Sequence, residues 1–497
     1  MSEVIKIEPH DAVHMVVHAD SGTKMELENY FRFQPSGYQF SPAYKNRVWD
    51  GWIRIFQALR PKLYVGLLPH LQKFCEERGY DLDAPDHMIF GEDVPDDYAY
   101  KLAKEIDCKF EPRDYQNQYV IDALRDQRSL SLSPTSSGKS LIIYLIQQHY
   151  FKTYNHRTLI IVPTIGLVHQ MAGDFVDYGC DPDLIYKIQG GVDKNTDAPI
   201  VISTWQSLVK LPKSWFAPFR VVLGDEAHQF QAKSLQKIME SLPNCYYRHG
   251  FTGTLKSEES KTHRLVLEGC FGKVRKHVST KELMDKGTVA DFNVKAIVLS
   301  HSPDVRKSFY SAYKQIKESS KRYPAEREFI VNNTKRNIFI RNLLWSLEGQ
   351  NNLVLFDLVE KHGKILEPLL QKEDRQLHFI YGGTKGEERE RIRHLVENDP
   401  IKQHDILASY GVFSTGVNLK KLDNVIFASG SKSEIKVLQS IGRALRKGND
   451  ADKATLYDIA DDLSLKSFEN YTLQHFRKRM EIYGSEQFPV KIFTVDV

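Results

Sequence analysis

From Leu130 to about Tyr457 the chain alternates short apolar runs, many of them β-branched, with longer stretches of helical periodicity. The runs include Leu159-Ile160-Ile161-Val162, Ile200-Val201-Ile202, Val221-Val222-Leu223, Val354-Leu355-Phe356, Asp405-Ile406-Leu407 and Val425-Ile426-Phe427. A strand that is apolar on both faces must be covered on both faces, and the crossover helices of a parallel sheet provide that cover. The pattern therefore predicts an α/β architecture with two parallel-sheet lobes in tandem. Lys281–Arg341 breaks the rhythm: it carries the charged stretch Lys314–Arg327 and no evident strand repeat, so bridging helices are expected there. Residues 1–108 differ again, being rich in aromatics and in turn signals such as Trp49-Asp50-Gly51. The predicted division is a small aromatic-rich α+β N-terminal domain over 1–108, a first lobe over 109–280, and a second over 281–497 that begins with the bridging helices.

Composition changes this picture little. A chain of 497 residues exceeds a single core, and 41% hydrophobic with 27% charged residues is the balance of a folded protein. A net charge of +4 is too small to signal nucleic-acid binding, so any basic surface must be local. The opening Met-Ser-Glu-Val-Ile-Lys lacks a basic-then-apolar signal, and no run of about eighteen apolar residues occurs, so a soluble cytoplasmic protein without membrane contact is expected. Cys75, Cys108, Cys180, Cys245 and Cys270 form no CxxC pair, which argues against zinc and disulfides and for ordinary, partly buried thiols.

Candidate chemistry begins at Ser133-Pro134-Thr135-Ser136-Ser137-Gly138-Lys139-Ser140, placed between the run Leu130–Leu132 and the helical pattern from Leu141. This is P-loop spacing, in which backbone N–H groups of Thr135 to Gly138 and a helix N-terminus cradle phosphates. Lys139 would meet the β- and γ-phosphates of ATP and Ser140 would bind Mg²⁺; Ser133 stands where the motif has glycine. Further on, Val221–Leu223 delivers Asp225 and Glu226 at a strand's C-terminal end. Nucleotide hydrolysis needs one carboxylate for the metal and one for the attacking water. Asp-Glu after a strand is by itself equally compatible with a solvated loop, and the P-loop upstream decides for chemistry.

Asp225-Glu226-Ala227-His228 spells a DEAH box, and at this point the chain resembles the DExH branch of superfamily 2 helicases. Arg113-Asp114-Tyr115-Gln116 is similar to the adenine-reading motif, with Gln116 facing the base. Val162-Pro163-Thr164 and Ser203-Thr204 resemble strand-contacting motifs, and Phe251-Thr252-Gly253-Thr254 the coupling motif. In the second lobe Ser414-Thr415-Gly416-Val417-Asn418 resembles motif V, and Gln439-Ser440-Ile441-Gly442-Arg443-Ala444-Leu445-Arg446 matches QxxGRxxR. The resemblance implies two RecA-like lobes and ATP with Mg²⁺ as cofactors. It implies nucleotide contacts from Gln116 and Gly416, and coupling through His228, Thr252, Thr254 and Gln439. It further implies phosphate-backbone contacts from Thr164, Thr204 and Thr415. On a helix Arg443 and Arg446 share a face and would act as arginine fingers. Within the branch the likeness is to phage recombination helicases and extends into the N-terminal domain. That implies branched DNA as substrate (forks, Holliday junctions, D-loops, and R-loops with their RNA–DNA hybrids), 3′-to-5′ movement, a monomer with possible accessory recombination proteins, and the host-cell cytoplasm.

The run Tyr30 to Phe56 interleaves aromatics with Arg32, Lys45, Arg47 and Arg54. Stacking on bases and pairing with phosphates both use that mixture, and Lys45, Arg47 and Trp49 are the candidate contacts. A core of aromatics in a small β-rich domain produces the same composition, and alternating strand faces accommodate both. A P-loop enzyme of another class would need neither QxxGRxxR nor a second lobe. Non-unwinding translocases and RNA motors share all the motifs, so the residues themselves define an ATP-driven nucleic-acid motor and leave that choice open.

Overall fold

The computed structural model describes residues 3–35, 37–89, 91–255, 261–399, 403–415, 422–430 and 453–497. The chain forms two compact units, Met1–Val278 and Ser279–Val497.

The first unit begins with a four-stranded mixed sheet. β1 (Val4–Pro9) and β2 (His14–His18) are antiparallel, β5 (Lys62–Tyr64) pairs with β2, and β6 (Asp81–Asp83) pairs parallel with β1. Period-2 burial puts Ile5, Ile7, Met15 and Val17 on one face, where the helices Ser21–Tyr30 and Leu68–Arg78 cover them with Leu27, Leu71 and Phe74. A short ribbon of β3 (Arg32–Phe33) and β4 (Ile53–Arg54) closes off the aromatic and cationic excursion between them.

This domain is seated tightly on the sheet that follows. Buried Arg128 donates to the Ala12 carbonyl at 2.6 Å, Tyr64 donates to Glu240 at 2.7 Å, and His70 pairs with the buried Glu268. At Gly66 a Cβ would overlap the Glu268 carbonyl oxygen, so the contact requires glycine.

That sheet has seven parallel strands: β7 (Arg128–Leu132), β8 (Arg157–Val162), β9 (Ile185–Ile188), β10 (Ile200–Thr204), β11 (Phe219–Asp225), β12 (Tyr247–Thr252) and β13 (Lys273–Arg275). Their order is β13-β7-β12-β11-β8-β10-β9. Every residue of β10 is buried, as expected for a strand covered on both faces. The helix Lys139–Tyr154 is buried continuously from Leu141 to Tyr150, which makes it a central element rather than an amphipathic surface one.

The second unit has its own seven-stranded parallel sheet: β14 (Asp291–Ser300), β15 (Asn352–Phe356), β16 (Gln376–Ile380), β17 (His404–Ser409), β18 (Asn424–Phe427), β19 (Lys453–Asp462) and β20 (Val490–Asp496). The order is β16-β17-β15-β18-β19-β14-β20. One expectation is corrected here. The stretch expected to open on bridging helices contains β14, paired with β19 over ten residues, before the helices Pro303–Gln315, Ser319–Val331 and Thr334–Trp345. Its first half, Asp291 to Lys295, alternates polar and apolar residues, and that period-2 signal is outweighed by the charged helices after it.

Buried ion pairs and hydrogen bonds anchor this unit. Arg336 grips Asp461 at 2.8 and 3.0 Å, and His301 reaches the same carboxylate at 3.0 Å. Burial opposes the charge on Asp461, but Arg336 and His301 outweigh it and hold the carboxyl below its ordinary range. Fully buried Glu326 accepts from the backbone N–H groups of Tyr471 and Thr472 at 2.9 and 2.7 Å. It thereby caps the helix Tyr471–Ser485 from another element.

Candidate ATP site and nucleic-acid interface

In a parallel sheet, loops after the strands gather at the C-terminal edge, and ligands bind there. β7, β12 and β11 are neighbours in the first sheet, so their C-terminal ends bring the loop from Ser133, the Thr252 region and Asp225 together. The Ser133 N–H donates to the Thr252 carbonyl at 2.9 Å. Ser136 and Gly138 adopt left-handed conformations at φ 68° and 77°, turning backbone N–H groups inward ahead of the helix Lys139–Tyr154. A Cβ at Gly138 would overlap Nε2 of Gln116, so glycine is required there.

Gln116 is buried and holds this loop. Its Nε2 donates to the Ser137 and Gly138 carbonyls at 3.0 and 3.3 Å, while its Oε1 accepts from the Arg113 N–H at 2.8 Å. Tyr115, which sequence reasoning left without a role, donates to the Ser137 carbonyl at 2.9 Å. Ser133, the departure from the motif, shares a 2.6 Å hydrogen bond with the Ser137 hydroxyl. Lys139 Nζ donates to the Ser133 and Pro134 carbonyls, both at 3.2 Å, so the ammonium lies across the loop's mouth. Thr135 lies beside Gly253, where a Cβ would stand 3.4 Å from its hydroxyl. Ser140 bonds to the Tyr178 hydroxyl at 2.8 Å, a partner with no local sequence signal.

β11 ends in Asp225, which accepts from the Glu226 N–H at 2.9 Å, and Glu226 itself is left-handed at φ 49°. Burial first, and the Glu226 carboxylate next, raise the Asp225 pKa to about 6 against the pull of Lys139. A divalent cation would relieve that cost, and Ser140 with Asp225 supplies the hard oxygen donors that Mg²⁺ takes. The residues present therefore fit the ion.

His228 links the carboxylates to the next strand. Its Nδ1 lies 3.3 Å from Glu226 and 3.1 Å from the Thr252 hydroxyl, which itself donates to the Thr254 carbonyl at 2.9 Å. With the Thr252 proton directed to Thr254, the Thr252 oxygen and the Glu226 carboxylate both present acceptors to Nδ1. The chain of contacts Glu226–His228–Thr252–Thr254 joins Glu226 to the strand beside the Ser133–Ser140 loop.

The other expected contacts are placed as follows. Thr164 caps the helix Ile165–Tyr178, accepting from the Leu167 N–H at 3.4 Å. Thr204 is buried at the end of β10 with its hydroxyl on Ser207 at 3.1 Å, so its side chain serves the chain itself. Thr415 ends the helix Tyr410–Thr415. Gly416, Gln439, Arg443 and Arg446 lie outside the described residues.

In the N-terminal domain the aromatic run divides. Phe31, Phe33 and Phe56 are core, whereas Phe40, Tyr44 and Val48 are exposed. An open cleft of about 740 Å³ is lined by Gln39, Tyr44, Lys45, Arg47, Val48 and Trp49, with the ion pair Asp50–Arg54 at its side. Trp49 Nε1 donates to the Trp52 carbonyl at 2.8 Å, and the Arg32 guanidinium stacks 4.5 Å over the Trp52 ring. Gly51, at φ 84°, permits the turn, since a Cβ there would come within 2.5 Å of the Tyr38 ring.

Among the described residues no helix is long and apolar enough to cross a membrane, and no cluster of metal-binding side chains occurs. Cys75, Cys180, Cys245 and Cys270 are buried, Cys108 is half-buried, and all five are free.

Three family models match the chain: DNA helicase UvsW, N-terminal, over residues 4–84; type III restriction enzyme, res subunit, over 109–257; and the helicase conserved C-terminal domain over 334–448. The ATP-dependent DNA helicase uvsW of Enterobacteria phage T4 is 36% identical over 517 residues, covering 99% of this chain and 100% of the relative. The DNA 3′-5′ translocase XPB2 of Sulfurisphaera tokodaii is 24% identical, with coverage of 76% and 86%. Among solved structures, phage T4 UvsW covers 100% of both chains at 33% identity and a TM-score of 0.51. A second crystal structure of the phage T4 helicase covers 56% of this chain and 100% of its own at 35% identity, also with a TM-score of 0.51. Since this identity runs through the N-terminal domain and both parallel-sheet units, the chain belongs to the UvsW-type DNA helicases, ATP-hydrolysing superfamily 2 enzymes with two RecA-like lobes.

Proposed function

We propose that this enzyme uses ATP hydrolysis to remodel branched DNA (forks, Holliday junctions, D-loops and R-loops) in recombination, repair and replication restart, moving 3′ to 5′. The observation that carries the reading is the N-terminal cleft, where Tyr44 and Trp49 stand beside Lys45 and Arg47 on a domain seated against the ATP-binding sheet. Aromatic faces hold unpaired bases and cations hold phosphates, which is the chemistry a junction presents where duplex gives way to single strands. The 3′-to-5′ direction is supported by likeness to the Sulfurisphaera relative, a DNA 3′-5′ translocase.

In this reading Thr135 to Gly138 and Lys139 hold the phosphates, and Gln116 serves the base while bracing the loop. Ser140 and Asp225 hold Mg²⁺, which when bound neutralises phosphate charge. Glu226 takes the proton of the attacking water, and Arg443 and Arg446 stabilise transition-state charge. Thr164, Thr204 and Thr415 meet the DNA backbone, Thr204 through its main chain, and such contacts carry no sequence information. His228, Thr252, Thr254 and Gln439 couple the nucleotide to movement. Likeness to a phage enzyme points to the host-cell cytoplasm, a monomer, and accessory recombination proteins as further partners.

The test is strand displacement and ATPase activity on single-stranded, duplex, forked and four-way DNA and on RNA–DNA hybrids. Unwinding of forks and four-way junctions above plain duplex is expected. Hydrolysis and translocation without strand separation on every substrate would replace the helicase reading with that of a translocase.

A further inference from the structure

The Ser140 hydroxyl has one proton and two lone pairs, and it is hydrogen-bonded to the Tyr178 hydroxyl at 2.8 Å. Tyr178 is held in place from several sides. Its ring packs edge-on against Phe110 at 5.4 Å and tilted on Tyr144 at 5.6 Å, and its carbonyl accepts from the Lys109 N–H at 3.0 Å. Tyr178 is also the last residue of the helix Ile165–Tyr178, and Gly179, at φ 113°, turns the chain away.

Resting on the ATP-site reading above, we propose that Tyr178 is a positioning residue that competes with Mg²⁺ for the Ser140 hydroxyl. A seryl oxygen that ligates a hard cation must aim a lone pair at it. In this proposal the phenol is the donor, occupying a lone pair of that oxygen and holding it toward the helix end, so binding the ion requires the hydroxyl to be re-aimed. The cost falls on the Mg²⁺ step, because Gln116 is hydrogen-bonded to the Ser137 and Gly138 carbonyls and Lys139 to those of Ser133 and Pro134. A net hydrogen bond is typically worth enough to shift a binding constant by about two- to tenfold.

The experiment is a calorimetric titration of ADP into the full chain with and without Mg²⁺, which needs no turnover. Tyr178→Phe keeps the ring packing and removes only the hydroxyl. It should tighten ADP binding about two- to tenfold in the presence of Mg²⁺ and leave binding without the ion unchanged. In a Ser140→Ala background the same substitution should do nothing, since the competing oxygen is gone. Equal ADP affinity in Tyr178→Phe and the parent with Mg²⁺, or weaker binding with and without the ion, would overturn the proposal and leave Tyr178 a packing residue. Lys139→Ala separates the two levels of the argument. If it leaves ADP binding intact, the ATP-site reading itself fails; if it weakens binding while Tyr178→Phe changes nothing, only the role of Tyr178 fails.

Discussion

At the residue scale, the phosphate loop shows how much work a few polar groups do at a strand end. Lys139 lies against the loop after β7 and Glu226 follows the end of β11, and neither lines the N-terminal cleft. Lys139→Ala and Glu226→Gln should therefore lower ATP turnover by orders of magnitude while DNA affinity stays within a few-fold of the parent, as separate ATPase and binding titrations would show. Asp225 makes a prediction about pH. Its folded pKa of about 6 lies above the ordinary 3.8, so between about pH 4 and pH 6 the folded state holds a proton that the unfolded state has released. Its destabilising contribution is then absent below about pH 4 and complete above about pH 6. Asp225→Asn should raise denaturation midpoints at pH 7.5 and change them little at pH 4, at the expense of Mg²⁺-dependent nucleotide binding. In the parent, that binding should weaken as pH falls through about 6 and Asp225 takes a proton.

At the element scale, the second unit depends on buried charge placed between helices. Glu326 satisfies two backbone N–H groups and the Thr472 hydroxyl at the start of Tyr471–Ser485. Removing it would leave those partly buried donors without that acceptor, and a fully buried group left unpaired costs about 1–3 kcal/mol. Glu326→Ala should destabilise the unit by about 3 kcal/mol in urea unfolding, and Glu326→Gln, which keeps one oxygen, by less. The strand β14 shows the limit of periodicity at this scale. Its alternating first half reads correctly only once its ten-residue pairing with β19 is known, because the charged helices that follow dominate the local composition.

At the scale of the whole molecule, the N-terminal domain and the first sheet behave as one unit because small residues let their backbones meet. Gly66→Ala should prise the Glu268 carbonyl away, and the expected readout is faster limited proteolysis between residues 84 and 113 with lower junction affinity. The phosphate half of the cleft is tested by Lys45→Ala with Arg47→Ala. Losing two cationic contacts should flatten the salt dependence of DNA binding by about one to two units of slope, with little effect on ATPase turnover at saturating DNA.

Much of this protein is written in short-range pattern. Strands buried on both faces require continuous apolar runs, and a phosphate-cradling turn requires small residues between a strand and a helix. Both can be read within about ten residues, and for that reason the α/β class and the strand–loop–helix around Ser133–Ser140 were legible. The relations between distant segments were not. β7 lies beside β12 although more than a hundred residues separate them, and that adjacency hydrogen-bonds Ser133 to Thr252 and sets His228 against the strand next to the phosphate loop. The partner of Ser140 is a tyrosine at the far end of another helix, and the exposed half of the aromatic run lies on the short helices and turns between β3 and β4, whereas Phe31 and Phe56 pack into the core of the domain. Local spacing determines what a segment can form; sheet order and packing decide which side chains meet, because the free energy of those contacts is gained only when distant elements bury one another.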